Sequence, residues 1–488
     1  MPSPSDPLDA TFGTPAHVAE HARRSAVSMV ARQVVVHGLN VLTGTLLARY
    51  MTSAGFGVYG IVTYLLTFLI ATSDLGLGAS LVRGRVEPES RDLETVLSIQ
   101  HLLTFAFAIA LWAAAPALRD AYRLPAEATL MFRVIAVGVP LTAFQAVSTI
   151  RLERHLAFPR LATTEIAQAV VFNGLLLGLV LTGHGLVSFG IALVSRALTG
   201  AVMAWFMSPW PIGWRWDPAR ARSMLRFGLP YQGIGLVSLA KDAILPGFVA
   251  ALAGAAALGQ VQWALLVSSY PVFALFALQR VYLPSFARMG EHPGQLPRMV
   301  ERVLQLSHAL AAPLAVLTLA LIGPITHLVF GDQWLPALPL FYALWVANLF
   351  VPTATPLMSL LNALGRSRTT LAFAVLWMAM TWALGVPAIL RFGIVGFAWA
   401  NVAVQLSNLW LFRIAQRAVP FGILRSVWRP WLAALVMGAA VLGANRVMPM
   451  TDLYSLAAWC VAALLFYAVL LSRLSPGLVR SALRAREV

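Results

Sequence analysis

Apolar stretches of about twenty residues recur along almost the whole chain, and this recurrence limits the possible folds more than any other feature. A helix rising about 1.5 Å per residue needs that length to cross a hydrocarbon core of roughly 30 Å. Only 11% of residues are charged and 59% are hydrophobic, whereas a soluble domain carries about 25% charge. With a mean hydropathy of +0.77, most of the chain cannot face water. The sequence is therefore expected to fold as an all-α polytopic membrane protein.

Fourteen transmembrane helices are expected, at 25–48, 57–79, 95–116, 128–150, 161–183, 186–208, 227–252, 258–281, 301–323, 336–360, 369–390, 394–413, 431–448 and 453–472. The longest run between them is about 20 residues, which leaves no room for a soluble catalytic domain. Arginines gather at alternate ends, as in Arg83/Arg85/Arg91 and Arg151/Arg154/Arg160, while the opposite ends hold only Arg49, Arg119, Arg123, Arg133, Arg391 and Arg446. By the positive-inside rule both termini are cytosolic. The same clustering accounts for a net charge of +16 without a nucleic-acid partner. Residues 1–22 precede Arg23 and lack the basic start, short apolar core and cleavage site of a signal peptide, so they read as a cytosolic tail. The single cysteine, Cys460, excludes an internal disulfide, and neither a Cys/His metal cluster nor a cofactor is expected.

Leu46–Arg85 is the stretch around which the chain looks arranged: a turn with Arg49, Gly55 and Gly57, an apolar run, Asp74 in a DLGLG knot, then Arg83 and Arg85. A shift of 202 residues returns a similar layout, placing Arg24 on Arg226, Asn40 on Asp242 and Gly57 on Gly259. Two pseudo-symmetric six-helix lobes follow, 23–208 and 227–417, joined by a linker at 209–226 whose WPIGWRWDP suits an interfacial anchor. Residues 418–475 add two C-terminal helices, and 476–488 form a second cytosolic tail.

Charges inside a bilayer are costly and usually face protein or a wet cavity. The candidates are Arg49 at a span edge, Asp74, Glu165, Arg196, Lys241 and Asp242. Lys241 is the chain's only lysine; it and Asp242 are expected in the middle of a span, about 100° apart, which requires no pairing between them. The bland reading is interhelical pairing or snorkelling to the interface. The functional reading is a cationic and acidic lining, net basic, of a central cavity. Gln145, Gln168, Asn40 and Asn173 read as interhelical hydrogen bonds. Pro140, Pro246, Pro352 and Pro387 read as kinks.

LLARYMTSAGFGVYG with SDLGLGASLVR resembles the opening of bacterial polysaccharide flippases of the Wzx type, in the multidrug/oligosaccharidyl-lipid/polysaccharide superfamily. LRFGLPYQGIGLVSLAKDAILPGFVAALAGAAALGQVQWA is similar to their seventh and eighth spans, although Val261 and Gln262 replace the usual Tyr after the LG turn. VFGDQWLPALPLF, LLNALGRSR and FGIVGFAWANVAV look like the family's C-terminal half, so the resemblance runs from about Arg23 to Arg417. It implies two lobes in a V around a central cavity, alternating access, and an undecaprenyl-pyrophosphate-linked oligosaccharide as substrate in a bacterial inner membrane. Membrane lipids, a polysaccharide polymerase and chain-length machinery are the implied partners.

A pyrophosphate-sugar head cannot cross hydrocarbon unaided, and Arg and Lys suit its phosphates. In this reading Arg83, Arg151 and Arg280 gather the head group, while Arg49, Arg196 and Lys241 carry it onward. No G-x-x-x-x-G-K-[ST] loop exists, because Lys241 follows Ala240, so this chain does not hydrolyse ATP. Either the membrane potential drives transport or Asp74, Glu165 or Asp242 couples an ion. The rivals are a multidrug extruder of the same superfamily and an integral-membrane glycan polymerase or ligase; the expected protein is not an enzyme. Asp242→Asn or Lys241→Ala is expected to abolish polymer export at normal membrane abundance. Normal export by both variants removes these residues from the site.

Overall fold

The chain is described by a computed structural model covering residues 15–83, 87–210, 213–273, 275, 278, 282, 285–287 and 294–475, the side chains of 15–27, 30, 70, 73, 231 and 234 excepted. Most of the expected N-terminal tail and all of 476–488 lie outside these residues, as do Arg85 and Arg280. Every regular element among the described residues is helical. The first half holds α1 (Pro15–Tyr50), α2 (Ser53–Asp74), α3 (Leu77–Arg83), α4 (Ser90–Ala121), α5 (Glu127–Gly138), α6 (Leu141–Arg154), α7 (Phe158–Leu181), α8 (Val187–Met207) and α9 (Pro218–Asp242). Then come α10 (Ala251–Ser268), α11 (Leu296–Ala320), α12 (Leu338–Asn348), α13 (Val351–Ala363), α14 (Ser367–Leu406), α15 (Asn408–Ala418), α16 (Ile423–Val447) and α17 (Leu453–Leu474).

Helix falls in each of the fourteen expected stretches, while ten segments among the described residues are long and apolar enough to cross a membrane. Much of the difference is continuity. Ser367–Ala418 counts as one segment of 52 residues, more than a single crossing takes, yet Gly393 inside it has φ 64° and ψ −155°. That break lies in the expected gap between 390 and 394.

Other spans come apart where local chemistry disfavours an unbroken helix. Leu75 and Gly76, at φ 47° and 72°, separate α2 from α3. Val139–Pro140 separates α5 from α6. Pro246 lacks the N–H that would reach the carbonyl of Asp242, so α9 stops there and a π-helical turn, Leu245–Ala250, follows. Lys241 and Asp242, expected in mid-span, therefore stand in the last turn of α9.

The chain forms two compact units, one reaching Ala255 and one beginning at Ala256. The boundary follows the expected linker by a whole helix, because α9 packs on α2, α3 and α4 of the first unit. There α7 packs on α1 and α8, while α8 also packs on α5 and α6. Asp217 caps α9, accepting from the N–H groups of Ala219 and Arg220 at 3.0 and 3.1 Å, with Pro218 preset for the first turn. Arg220 ties this start to that of α4 through Asp92 and Glu89, at 2.6 and 2.7 Å, and those hydrogen bonds hold its guanidinium above the usual arginine range.

α9 meets the turn after α2 through a backbone contact. A Cβ on Gly228 of α9 would stand 2.5 Å from the carbonyl oxygen of Leu75 and 2.8 Å from the carbonyl carbon of Gly76. A Cβ on Gly76 would collide with the backbone of Gly228 in turn. Tyr64 Oη of α2 donates to the Leu239 carbonyl, and Gln232 Nε2 donates to that of Ala71, both at 3.1 Å. Three separate contacts thus clamp α9 to the end of α2.

In the second unit α11 is the most enclosed span and packs on α13, α16 and α17. Ala312, Val316 and Leu321 of that region meet Ala433, Met437 and Val441 of α16 and Tyr467 of α17 in one core. Gly438 permits the approach, since a Cβ there would run into Val316. His308 is buried and fixed: Trp431 Nε1 donates to its Nδ1 at 3.0 Å, and its Nε2 lies 2.9 Å from Thr353 Oγ1. It packs the core and leaves no free ring nitrogen.

Gly228→Ala is expected to destabilise the protein by about 1–3 kcal/mol, because the added methyl meets backbone that cannot turn aside. Gly233→Ala, on the same helix with nothing within 4 Å of the added carbon, is expected to be neutral or stabilising. Melting temperatures of the two variants in one detergent test the contact; equal values would refute it.

Candidate functional site

The DLGLG stretch holds the turn between α2 and α3, with one candidate residue, Asp74, at its start and another, Arg83, at the end of the short helix that follows. Asp74 closes α2, and its carboxylate accepts from the Gly76 N–H at 3.2 Å and from Gln100 Nε2 of α4 at 3.4 Å. Arg83 closes α3 with its guanidinium over the Phe227 ring, 4.8 Å from the centroid. Phe227 precedes the Gly228 that touches Gly76, so neighbouring residues of α9 meet both the turn and the end of α3.

Asp74 and Arg83 line the same cavity, of about 570 Å3, with Gln100, Gln145, Glu153 and Phe227. Thr142, Gln145, Thr149 and Glu153 all come from α6, at spacings of three and four residues that put them on one helix face. Gln145 Oε1 accepts from Gln168 Nε2 of α7 at 3.0 Å. That pair lies against Gly200 of α8, where a Cβ would stand 2.7 Å from Gln168 Nε2. Gln100 is buried, and its amide oxygen has no partner among the described residues. The cavity has room for water or a hydroxyl-rich ligand, and its Asp, Arg, Gln, Thr and Glu side chains can hydrogen-bond to either.

The balance of charge in this cavity is acidic, whereas the net-basic expectation is for a cavity between the lobes. This cavity holds two carboxylates, Asp74 and Glu153, against one guanidinium, Arg83. Glu153 was not among the expected site residues, since RLER reads as charged residues at the end of a span. Its signal was the polar stripe from Thr142 on α6.

The remaining candidates are drawn elsewhere. Arg151 Nη1 donates to the Pro209 carbonyl at 2.6 Å. Glu165 is ion-paired with Arg32, tying α7 to α1. Arg196 lies over the Phe172 ring at 5.6 Å and feels the charge of Glu165. Arg49 is exposed in the last turn of α1. Lys241 and Asp242 pair with each other, Nζ to Oδ1 at 2.7 Å, although adjacency alone required no pairing; the long lysine stem spans the angle between them. Arg280 lies outside the described residues. Of the nine expected residues, this cavity brings together Asp74 and Arg83.

The family described as Polysaccharide biosynthesis protein matches residues 46–339. Among curated relatives, the teichuronic acid biosynthesis protein TuaB of Bacillus subtilis is 22% identical over 76% of this chain and 78% of its own. The succinoglycan biosynthesis transport protein ExoT of Rhizobium meliloti is 22% identical over 88% and 87%. The lipopolysaccharide biosynthesis protein WzxC of Escherichia coli is 21% identical over 82% and 83%. Among solved structures, the lipid II flippase MurJ in an inward closed conformation aligns with a TM-score of 0.75 at 13% identity, covering 93% of this chain and 99% of that one. An inward-facing multidrug resistance MATE transporter of the MOP superfamily aligns at 0.58 and 15% identity, covering 79% and 95%. At these identities the structural likeness speaks for the fold.

A wet cavity is testable by thiol chemistry. With Cys460 replaced, Thr149→Cys is expected to react with an anionic, membrane-impermeant methanethiosulfonate. Adding Arg83→Gln is expected to slow the anionic reagent on the order of tenfold relative to a cationic one, through loss of local steering. No reaction with either reagent would show that the cavity is dry.

Proposed function

Because the chain belongs to the polysaccharide biosynthesis protein family, which matches its residues 46–339, we propose that it is a flippase for a lipid-linked glycan. Its substrate in this reading is an undecaprenyl-pyrophosphate-linked oligosaccharide, an O-antigen or exopolysaccharide repeat unit. It moves by alternating access from the inner to the outer leaflet of a bacterial inner membrane. The fourteen crossings, the lobes at 23–208 and 227–417 and the cytosolic termini belong to the same proposal. So do the polymerase and chain-length partners.

The observation that carries the reading is the polar cavity of the first unit, set among helices that are otherwise apolar. A polyprenyl tail is at home in lipid; the head group is not, and needs hydrogen-bonding walls to replace its water. Arg83 offers a guanidinium fork to phosphate, and Gln100 and Gln145 offer amides to sugar hydroxyls. Arg151, Arg49, Arg196, Lys241 and Arg280 are the further phosphate contacts of the proposed path. Asp74 is the proposed ion-coupling carboxylate, with Glu165 and Asp242 as the others assigned that role. With the inside negative, moving two negative charges outward releases about 4–5 kcal/mol at 100 mV, which supplies a drive with or without a coupled ion.

One observation favours a second reading. The excess of carboxylate over guanidinium in the cavity suits an organic cation, and hence a multidrug extruder of the same superfamily. Removing the chain from its host separates the readings. A flippase leaves lipid-linked repeat units on the inner leaflet, restored to export by the wild-type chain and not by Arg83→Gln. Repeat units that reach the outer leaflet unjoined would instead indicate a polymerase or ligase. Normal glycan export with lost resistance to cationic dyes would indicate the extruder.

A further inference from the structure

The second unit holds a different kind of cavity, of about 470 Å3, at the start of two packed helices. Arg298, Arg302 and Gln305 come from the first turns of α11, and Arg425, Trp428 and Arg429 from the first turns of α16. The four arginines repeat at intervals of four on each helix, so each pair shares one face. Helix N-termini carry positive partial charge, which adds to theirs.

Among the described residues these guanidinia outnumber the carboxylates around them. In the first unit Arg32, Arg154, Arg215 and Arg220 each meet a carboxylate. Among the described residues no ion pair involves Arg298, Arg302, Arg425 or Arg429. Glu301, the one acid among the described residues of the cavity wall, accepts from the Gly422 N–H at 2.9 Å and so holds the two helix starts together. Four like charges around one hollow repel unless an anion joins them.

A second hollow, of about 350 Å3 and lined mainly by Leu278, Tyr282, Met299, Val303 and Leu306, shares Arg302 with the first. A cationic hollow and an apolar one that meet at Arg302 match a molecule with a phosphate head and a hydrocarbon tail. Trp428, exposed beside Arg429 with its ring under that guanidinium at 5.5 Å, suits the level of lipid head groups. By the positive-inside rule these arginines face the cytosolic leaflet, where anionic lipids are bound by basic pockets between helices.

We infer that the starts of α11 and α16 form a binding site for an anionic phospholipid, its phosphate among the four arginines and an acyl chain in the slot beyond Arg302. The site stands apart from the first unit's cavity, and its test reads lipid binding whatever the chain transports.

Full-length protein, stripped of co-purified lipid by detergent exchange, is titrated with dioleoylphosphatidylglycerol, dioleoylphosphatidylcholine or inorganic phosphate while its melting temperature is followed. Phosphatidylglycerol is expected to raise the melting temperature saturably, and the other two to leave it unchanged. Each of Arg302→Gln, Arg425→Gln and Arg429→Gln is expected to weaken the phosphatidylglycerol response about fivefold, whereas Arg368→Gln keeps it. Equal shifts with the two lipids would overturn the site, as would an undiminished response in the triple variant. A full shift with phosphate alone would reduce it to a free-anion site and overturn the lipid assignment. If the triple variant does not fold, the wild-type comparison of the three ligands decides alone.

Discussion

Two glycines that lie backbone to backbone, Gly76 in the turn after α2 and Gly228 in α9, are the contact on which the first unit's site depends. Any side chain at Gly228 would occupy space held by the Leu75 carbonyl, and Gly76 also needs its positive φ. With the helices this close, Phe227 reaches under Arg83, and the end of α2 and the end of α3 face one hollow. Asp74, Gln100 and the polar face of α6 close that hollow from the other sides. The motifs SDLGLGASLVR and LRFGLPY, far apart in the chain, are thus two halves of one contact.

Charge is handled in opposite ways in the two units. The first unit ties Arg154, Arg215 and Arg220 to carboxylates at the starts and ends of helices, and Arg83 is the guanidinium lining its cavity. The second gathers four arginines around one opening with a single carboxylate, Glu301, among the described residues of its wall. Paired charge makes architecture. Unpaired charge in a hollow makes a place for a counter-ion, and a neighbouring apolar slot decides which counter-ion fits best.

If the first cavity carries the proposed pyrophosphate head group, its acid-rich balance bears on release. A purely cationic pocket would hold a pyrophosphate too well to release it, since binding that is uniformly tight stalls a transport cycle. One guanidinium, two amides and two carboxylates offer a phosphate one strong contact and offer sugars several moderate ones. Asp74 is already engaged by the Gly76 N–H and Gln100, so a proton or cation arriving there must compete with the turn that holds the site together. That competition is a physical means by which ion binding and the α2–α3 turn can be linked.

Much of the architecture was legible in the residues alone. Apolar length fixed where helices lie, and Gly393, Pro140 and Pro246 lie where those helices end or break, because the backbone chemistry of glycine and proline acts locally. Alternating arginine clusters set an expected orientation for the same reason. Partners were not legible. Glu165 with Arg32, Arg151 with the Pro209 carbonyl and Lys241 with Asp242 could each have been a cavity charge by position, and packing gave each a neighbour. Glu153 was hidden as a loop charge until the α6 face turned it inward beside Asp74. Sequence by itself determined the class of protein and its helical stretches, because those follow from residues near one another in the chain. Only the tertiary structure decided which charges meet, because that depends on distances between residues the chain holds far apart.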